Sequence, residues 1–149
     1  MNKTIVQFIE QQTCANICCV DEQHQPYCFS CYYAFRPETG ILLFKSSPNS
    51  HHALLLKNNS NIAGTVLPDK LSKLLVKGIQ FEGIVLDTHH ALMKDALGHY
   101  LKQHPLAIAI PGEISGIQIN HIKMTDSTLG FGKKIIWKRM EEMEEVSTY

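Results

Sequence analysis

From Cys14 onward the chain is a succession of short segments rich in β-branched, aromatic and cysteine residues, separated by clusters of turn residues. Such segments are typical of β-strands, and the connections between most of them are too short for a helical crossover. We therefore predict a mainly β (α+β) fold built on an antiparallel sheet. Strands are predicted over residues 14–20, 27–35, 41–45, 62–67, 74–86, 113–125 and 134–138.

Three helices are predicted outside this pattern. One covers residues 3–12, where apolar residues recur at helical spacing. A second begins at Pro48 with Ser47 as its N-cap and runs to about residue 57, and a third begins near residue 88 and ends before Pro105.

The two longest predicted strands carry signals of bending. Gly78 and Gly83 interrupt one of them, and in the other the apolar phase slips between Ile119 and Ile122. Bent antiparallel strands with helices packed outside predict a small barrel with a β-bulge.

Length and charge limit the class of protein. The chain has 149 residues, which is the typical length of one domain. Its 14 basic residues balance 14 acidic ones. We expect one domain over residues 1–140 and a flexible acidic tail over 141–149. A phosphate-backbone binder normally carries a basic excess, and no apolar run approaches the ~20 residues of a spanning helix, so we expect neither nucleic acid nor membrane as a partner.

Five cysteines lie in the first third of the chain, an odd and crowded set that indicates reduced thiols in the cytoplasm. Cys28 and Cys31 form a CxxC pair, but residues three apart on a strand point to opposite faces. The adjacent histidines at 51–52 and 89–90 are also poorly placed to share one ion. We therefore predict packed thiols, no metal site and no identifiable catalytic side chain.

The segment 45–52 is the first candidate for binding chemistry. It combines a strand end, a predicted helix start and several donors, and such a helix end favours an anion. The alternative is an ordinary capped helix with a polar start. The candidate phosphate donors are Lys45, Ser46, Ser47, Ser50, His51 and His52.

The second candidate is the segment 129–139, which holds the one tryptophan of the chain beside several cations. On a strand, Lys133, Trp137 and Arg139 share one face, which suits an aromatic anionic ligand. The alternative is an edge strand whose tryptophan packs in the core and whose lysines discourage aggregation.

Three strings carry a wider resemblance: Asn61-Ile62-Ala63-Gly64-Thr65-Val66, Lys77-Gly78-Ile79-Gln80-Phe81-Glu82-Gly83, and Thr125-Asp126-Ser127-Thr128-Leu129-Gly130-Phe131-Gly132-Lys133-Lys134. Together with the order of elements, they show that the chain resembles the FMN-binding split-barrel family related to pyridoxine/pyridoxamine 5'-phosphate oxidase, and a bacterial subgroup of it above all. The resemblance spans roughly residues 1–139. It implies a six-stranded antiparallel split barrel with flanking helices, and a homodimer with FMN at the subunit interface.

The resemblance also implies which residues contact the cofactor. Family members use the second strand, the end of the third strand with the next helix start, a polar strand position, and C-terminal residues of the partner subunit. Transferred to this chain, these positions are Ser30, Cys31, Tyr32, Lys45, Ser46, Ser47, Ser50, His51, His52, Gln80, Lys133, Trp137 and Arg139.

The chain departs from the family at four positions. Phe29, Ala34, His51 and His52 stand where family oxidases usually carry Arg or Lys, and this loses permanent charge facing a phosphate. The leading hypothesis is an FMN-dependent oxidoreductase acting on a small molecule. The alternatives are a non-enzymatic flavin-binding or storage module, and a split barrel that binds a deazaflavin or haem.

Overall fold

A computed structural model describes residues 1–130 and 133–140. The expected tail 141–149 lies outside the described residues. Three α-helices occur in this part of the chain: α1 (Lys3–Gln11), α2 (His51–Asn58) and α3 (Ala96–Gln103). The strands of the same part are β1 (Cys14–Val20), β2 (Pro26–Arg36), β3 (Ile41–Ser46), β4 (Asn61–Val66), β5 (Lys77–Val85), β6 (Glu113–Asp126) and β7 (Lys134–Lys138).

The strands of the described residues form one antiparallel sheet in the order β3-β2-β1-β4-β5-β6-β7. The first half of β6 also pairs with β3, so β1 to β6 close into a six-stranded barrel. The second half of β6 pairs with β7, which extends the sheet beyond the closed barrel. The predicted mainly β split barrel with flanking helices is confirmed.

Side-chain alternation along each strand creates an inner and an outer layer. On β2, Tyr33 and Phe35 point into the barrel, where they join the main core cluster with residues of α1. Ala34 points outward into a second cluster, together with Met93 and Tyr100 from the segment that contains α3. The outer surface of the barrel is therefore covered by helix at β2 and β3.

The predicted bulge lies on β6. Glu82 pairs with His121 while the next residue, Gly83, pairs with Ile119, so Asn120 is the extra residue. The Asn120 carbonyl instead accepts a hydrogen bond from the Arg139 backbone N–H at 2.8 Å. The phase slip in the sequence is therefore a β-bulge whose freed carbonyl is satisfied by the end of β7.

The expected continuous helix from residue 88 is wrong. The chain forms a short 3-10 turn at Ala91–Met93, and α3 begins only at Ala96, after Asp95 in the left-handed region at φ 54°. The Arg36 guanidinium donates to the carbonyls of Leu92 and Lys94 at 2.8 and 2.7 Å. A continuous helix would need these carbonyls for its own ladder.

Two other boundaries also differ. Strand β5 begins at Lys77 rather than residue 74, because the preceding segment exposes Leu74 and Val76 instead of pairing them. Helix α2 begins at His51 rather than Pro48. Within residues 1–130 and 133–140, no helix combines the length and apolar character needed to cross a membrane.

Candidate functional site

A row of polar side chains crosses the outside of the barrel. In the strand register, Asn16 pairs with both Ser30 and Thr65, Thr65 with Gln80, and Gln80 with Lys123. Residues that face one another across neighbouring strands lie on the same side of the sheet. We call this row, Ser30, Asn16, Thr65, Gln80 and Lys123, the polar ladder.

The polar ladder borders a pocket of about 360 Å³ on the outer surface of the barrel, the outer-face pocket. A parallel row of side chains, Cys28, Cys18, Ala63, Glu82 and His121, forms its other part. Cys18 and Ala63 are small, so the surface there is low and flanked by taller polar groups. Pockets of this volume lie within the usual size range for small-molecule sites.

The charges on the outer-face pocket are mixed. Lys123 and His121 line it from β6, and Glu82 lines it from β5. The Ser30 hydroxyl donates to the side-chain oxygen Oδ1 of Asn16 at 2.6 Å, which fixes the amide at one end of the polar ladder. The pocket therefore offers amide, hydroxyl and ammonium donors along one side.

A second pocket, of about 480 Å³, lies at the mouth of the barrel, between α2, the end of β3 and the start of β6. Of the predicted phosphate donors, Ser46 and His52 line this barrel-mouth pocket. Its further polar lining consists of Lys57, Ser60, Asp87, Thr88, Glu113 and Ser115. Glu113 places a carboxylate near the predicted phosphate donors.

The start of α2 is capped differently from the prediction. The N-cap is Ser50, whose side-chain oxygen accepts from the Ala53 N–H at 3.3 Å; the expected Ser47 cap is wrong. The Ser50 carbonyl already accepts from Leu54, as an N-cap residue should. Ser47 is exposed in the turn before the helix, where its hydroxyl accepts from the Asn49 N–H.

The two histidines of α2 have different environments. His52 stacks on Phe29 with ring centroids 3.8 Å apart, and its Nε2 lies 3.0 Å from the Ser50 hydroxyl. Burial, and to a lesser extent the neighbouring His51, lower the pKa of His52. His51 is exposed and meets Tyr27 edge to face at 4.7 Å.

Lys45 points away from the start of α2. Its ammonium donates to the carbonyls of Ala107 and Ile110 at 2.8 and 2.6 Å, in and just after a 3-10 helix at Pro105–Ala109. Two of its three donors are therefore engaged in holding that segment against the barrel.

The three residues of β2 that are predicted to contact the cofactor lie in different environments. Cys31 points into the barrel core, so only its backbone can face an external ligand. Burial raises the pKa of its thiol to about 12. Tyr32 points outward, with 63% of its surface exposed, near His104 of the segment that follows α3. Ser30 belongs to the polar ladder.

The C-terminal candidates lie on β7 and beside it. Trp137 is half-buried and packs against the core cluster, in agreement with the edge-strand alternative. The Arg139 guanidinium donates to the carbonyls of Ile119, Thr39 and Gly40 at 2.9 to 3.2 Å and stacks near Trp137 at 5.5 Å. Burial lowers its pKa. Lys133 is exposed at the approach to β7.

One chain does not bring all predicted residues together. Gln80 and Ser30 belong to the outer face, Ser46 and His52 to the barrel mouth, and Lys45 and Arg139 are bound to backbone carbonyls. Sequence reasoning missed three members of the polar ladder. Asn16, Thr65 and Lys123 each occupy an outward position of an alternating strand, and only the strand order shows that they adjoin Gln80.

Comparison with known sequences identifies relatives across most of the chain. No family model matches. A UPF0306 protein from Photorhabdus laumondii is 35% identical over 113 residues, which cover 76% of this chain and 79% of that protein. A UPF0306 protein from Yersinia enterocolitica is 28% identical over 137 residues, covering 92% of each chain.

Comparison with solved structures identifies the same fold at low sequence identity. A haem-binding protein from Mycobacterium smegmatis matches with a TM-score of 0.74 at 9% identity, over 88% of this chain but 55% of that one. A FAD-binding protein from Mesorhizobium loti matches at 0.66 and 16% identity, over 85% and 95% of the two chains. The haem storage protein HutZ from Vibrio cholerae matches at 0.60 and 12% identity, over 78% and 86%.

Proposed function

The chain belongs to the UPF0306 protein family, and we propose that it is a flavin-binding split-barrel protein whose cofactor is FMN. The observation that carries this proposal is the outer-face pocket, where a low surface at Cys18 and Ala63 adjoins the polar ladder. The resemblance to the family related to pyridoxine/pyridoxamine 5'-phosphate oxidase, and the FAD-binding protein of the same fold, support a flavin.

The pocket fits the ring system of a flavin. Neighbouring strands lie about 4.8 Å apart, so the part of the polar ladder from Thr65 to Lys123 spans about 10 Å, close to the length of three fused rings. The Gln80 amide and the Lys123 ammonium supply donors for the carbonyl and imine acceptors along one edge of such a ring. The small side chains of Cys18 and Ala63, beside Asn16 and Thr65, leave room for the face of the ring.

The proposed phosphate site combines several neutral hydrogen-bond donors with one ammonium, that of Lys57. Ser46 and Ser47 provide hydroxyls near the start of α2, and His51 provides an exposed imidazole. His52, with its lowered pKa, is neutral near pH 7. We infer that the FMN phosphate is bound by these neutral donors together with the Lys57 ammonium, which lines the same pocket as Ser46 and His52, in place of the Arg and Lys usual in the pyridoxine/pyridoxamine 5'-phosphate oxidase-related family.

We further propose that the site is completed by a second copy of the chain. Leu71, Leu74 and Leu75 lie exposed in the loop that joins β4 to β5, the two strands that carry Thr65 and Gln80 of the polar ladder. A homodimer formed over this surface would bury these leucines and enclose the flavin. In this assembly Lys133, Trp137 and Arg139 are the candidates for contacts from the partner subunit.

Bound FMN would supply hydride or electron transfer to a small-molecule substrate, so the proposed activity is that of an oxidoreductase. The residues of the polar ladder would bind and orient the flavin ring. A non-enzymatic flavin-binding or storage role uses the same site without turnover. Reduction of the bound flavin by NADH or NADPH, followed by reoxidation by added acceptors, separates the two roles.

We also infer that residues 1–140 form one flavin-binding domain and that the protein has a cytoplasmic location. Five free thiols in residues 1–130 are compatible with a reducing compartment, and the zero net charge gives no support to a nucleic-acid partner.

The decisive experiment is a titration of the purified, cofactor-stripped protein with FMN, followed by flavin fluorescence and the visible spectrum. Gln80→Ala removes a donor of the polar ladder, and we expect FMN affinity to fall about three- to tenfold, the equivalent of one neutral hydrogen bond. Gln23→Ala is the matched control, because Gln23 is exposed in the turn between β1 and β2. Absence of FMN binding by the wild type contradicts the proposal, and equal affinity of both variants removes Gln80 from the site.

A second candidate ligand is haem. His51 is an exposed imidazole held edge to face on Tyr27, and imidazole is a common axial ligand of haem iron. Nearby, Phe29 and His52 stand where the related oxidases usually carry Arg or Lys, and their stacked rings form an aromatic surface. Titration with hemin in place of FMN tests this candidate, and a Soret band lost in His51→Ala would favour it. Mass measurement of released ligand distinguishes a deazaflavin.

A further inference from the structure

Two cysteines distant in the sequence face each other across β1 and β2. Cys18 and Cys28 are directly paired in the register of the hairpin, and both line the outer-face pocket. Neither the CxxC spacing nor the adjacent pair Cys18-Cys19 brings two thiols together on one face, whereas this cross-strand pair does.

The type of strand pair places the thiols close together. Backbone N–H to carbonyl bonds join Tyr33 to Thr13 and Asp21 to Gln25, so these are hydrogen-bonded pairs of the same hairpin register. Hydrogen-bonded and non-hydrogen-bonded pairs alternate, and Cys18 opposite Cys28 falls on a non-hydrogen-bonded position. Such pairs have Cα atoms about 4.5 Å apart, within the range of about 4.4–6.8 Å that a disulfide spans.

The pKa of Cys18 agrees with this proximity. It is raised to about 11, first by the side-chain interaction with Cys28 and then by burial and the charge of Cys28. Cys28 is exposed whereas Cys18 is half-buried. Cys18 therefore keeps its proton to higher pH than an ordinary thiol, and Cys28, being exposed, is the sulfur that a solvent-borne oxidant reaches first.

We propose that Cys18 and Cys28 are a reversible dithiol–disulfide site in the wall of the outer-face pocket, oxidised by peroxides. The Cys28 thiolate attacks a peroxide oxygen, the O–O bond breaks, and water leaves after proton uptake, which forms a sulfenic acid. The Cys18 sulfur then displaces a second water and forms the S–S bond. Each disulfide formed oxidises two thiols and reduces one hydrogen peroxide to two waters.

A bond between Cys18 and Cys28 would alter the outer-face pocket. The two thiols form part of the low surface beside Ala63, so joining them changes the shape and polarity of the pocket wall. A short cross-strand bridge on an exposed face is of the readily reduced kind. The site stands on the hairpin register alone and does not depend on which ligand the pocket binds.

The test oxidises the full-length reduced protein with a small excess of hydrogen peroxide and then alkylates the remaining thiols. The chain has five cysteines, and we expect three to be alkylated, with an intact mass lower by two hydrogen atoms before alkylation. Cleavage after Glu22 separates the peptide with Cys18 from the peptide with Cys28, so the bridge joins peptides 11–22 and 23–38. Fragmentation assigns the two sulfurs, and dithiothreitol restores all five thiols.

Variants provide the controls. Cys18→Ser and Cys28→Ser should each abolish the bridge, whereas Cys14→Ser should keep it, because Cys14 lies opposite Tyr32. Far-UV circular dichroism checks that the variants fold, and the peptide mapping of the wild type needs no variant. The proposal is overturned if the oxidised wild type keeps five alkylatable thiols, or if its bridge joins any other pair.

Discussion

At the residue scale, two glycines differ in how closely the rest of the molecule approaches them. A Cβ atom built on Gly83 would lie 2.3 Å from the Gln118 carbonyl oxygen, beside the β6 bulge, whereas a Cβ on Gly98 of α3 meets nothing within 4 Å. The backbone of β6 can approach β5 at the bulge only because Gly83 has no side chain.

We therefore expect opposite effects of one substitution. Gly83→Ala should destabilise the protein by about 1–3 kcal/mol or more, because backbone must move to relieve the overlap. Gly98→Ala should stabilise it by about 0.5–1 kcal/mol, as alanine is the better helix former. Urea denaturation curves measure both values, and a Gly83→Ala protein as stable as the wild type would show that the bulge adjusts without cost.

At the element scale, β7 depends on a contact that reaches back to the turn between β2 and β3. β7 is short and pairs on one side only, with β6. The Arg139 guanidinium binds the carbonyls of Ile119, Thr39 and Gly40 and closes the end of the strand against the barrel. Arginine suits this role because its five donors are spread over a planar fork.

Arg139→Ala should therefore release β7. Hydrogen bonds made by a charged group contribute about 1.5–3 kcal/mol each, so we expect the amides of residues 134–138 to exchange with deuterium at least tenfold faster. Lys138→Ala is the matched control, because that side chain is exposed on the same strand. If Arg139 served the cofactor and not the strand, its loss would lower FMN affinity and leave amide exchange unchanged.

At the scale of the whole molecule, exposed apolar side chains indicate where a second copy would bind. The side chains of Leu74 and Leu106 are almost fully exposed, at 91% and 86%. The two leucines belong to different segments of the chain. Leu74 belongs to the loop between β4 and β5, and Leu106 to the 3-10 helix that Lys45 holds. Exposed apolar patches of this kind mark interaction surfaces.

The proposed homodimer predicts different effects for the two leucines. Leu74→Glu should shift the protein toward the monomer in sedimentation velocity and weaken FMN binding, because a buried carboxylate opposes association. Leu106→Glu, the matched substitution, should leave the dimer intact. A wild type that sediments as a monomer contradicts the assembly, and a dimer broken by Leu106→Glu alone would move the interface to the surface around Leu106.

The chain's local patterns determined the strands, the bulge and the fold class. Each of these depends on residues within a few positions, such as the alternation along β1 or the phase slip around Asn120, and so it can be predicted from the sequence. The predicted start of the third helix failed where a distant group competed. Arg36 takes the carbonyls of Leu92 and Lys94 from 56 and 58 positions away, and no local pattern contains that information.

The composition of the candidate site was decided by tertiary structure. Strand register placed Asn16, Thr65 and Lys123 beside Gln80 and brought Cys18 opposite Cys28. The sequence by itself determined which residues can donate, bind or react, because that follows from side-chain chemistry. Only the closed barrel decided which of these donors remain available to a ligand. The Lys45 ammonium, for example, donates to backbone carbonyls 62 and 65 positions away. The physical reason is that backbone polar groups removed from water must be hydrogen-bonded, and they therefore occupy side-chain donors that the sequence alone would assign to a ligand.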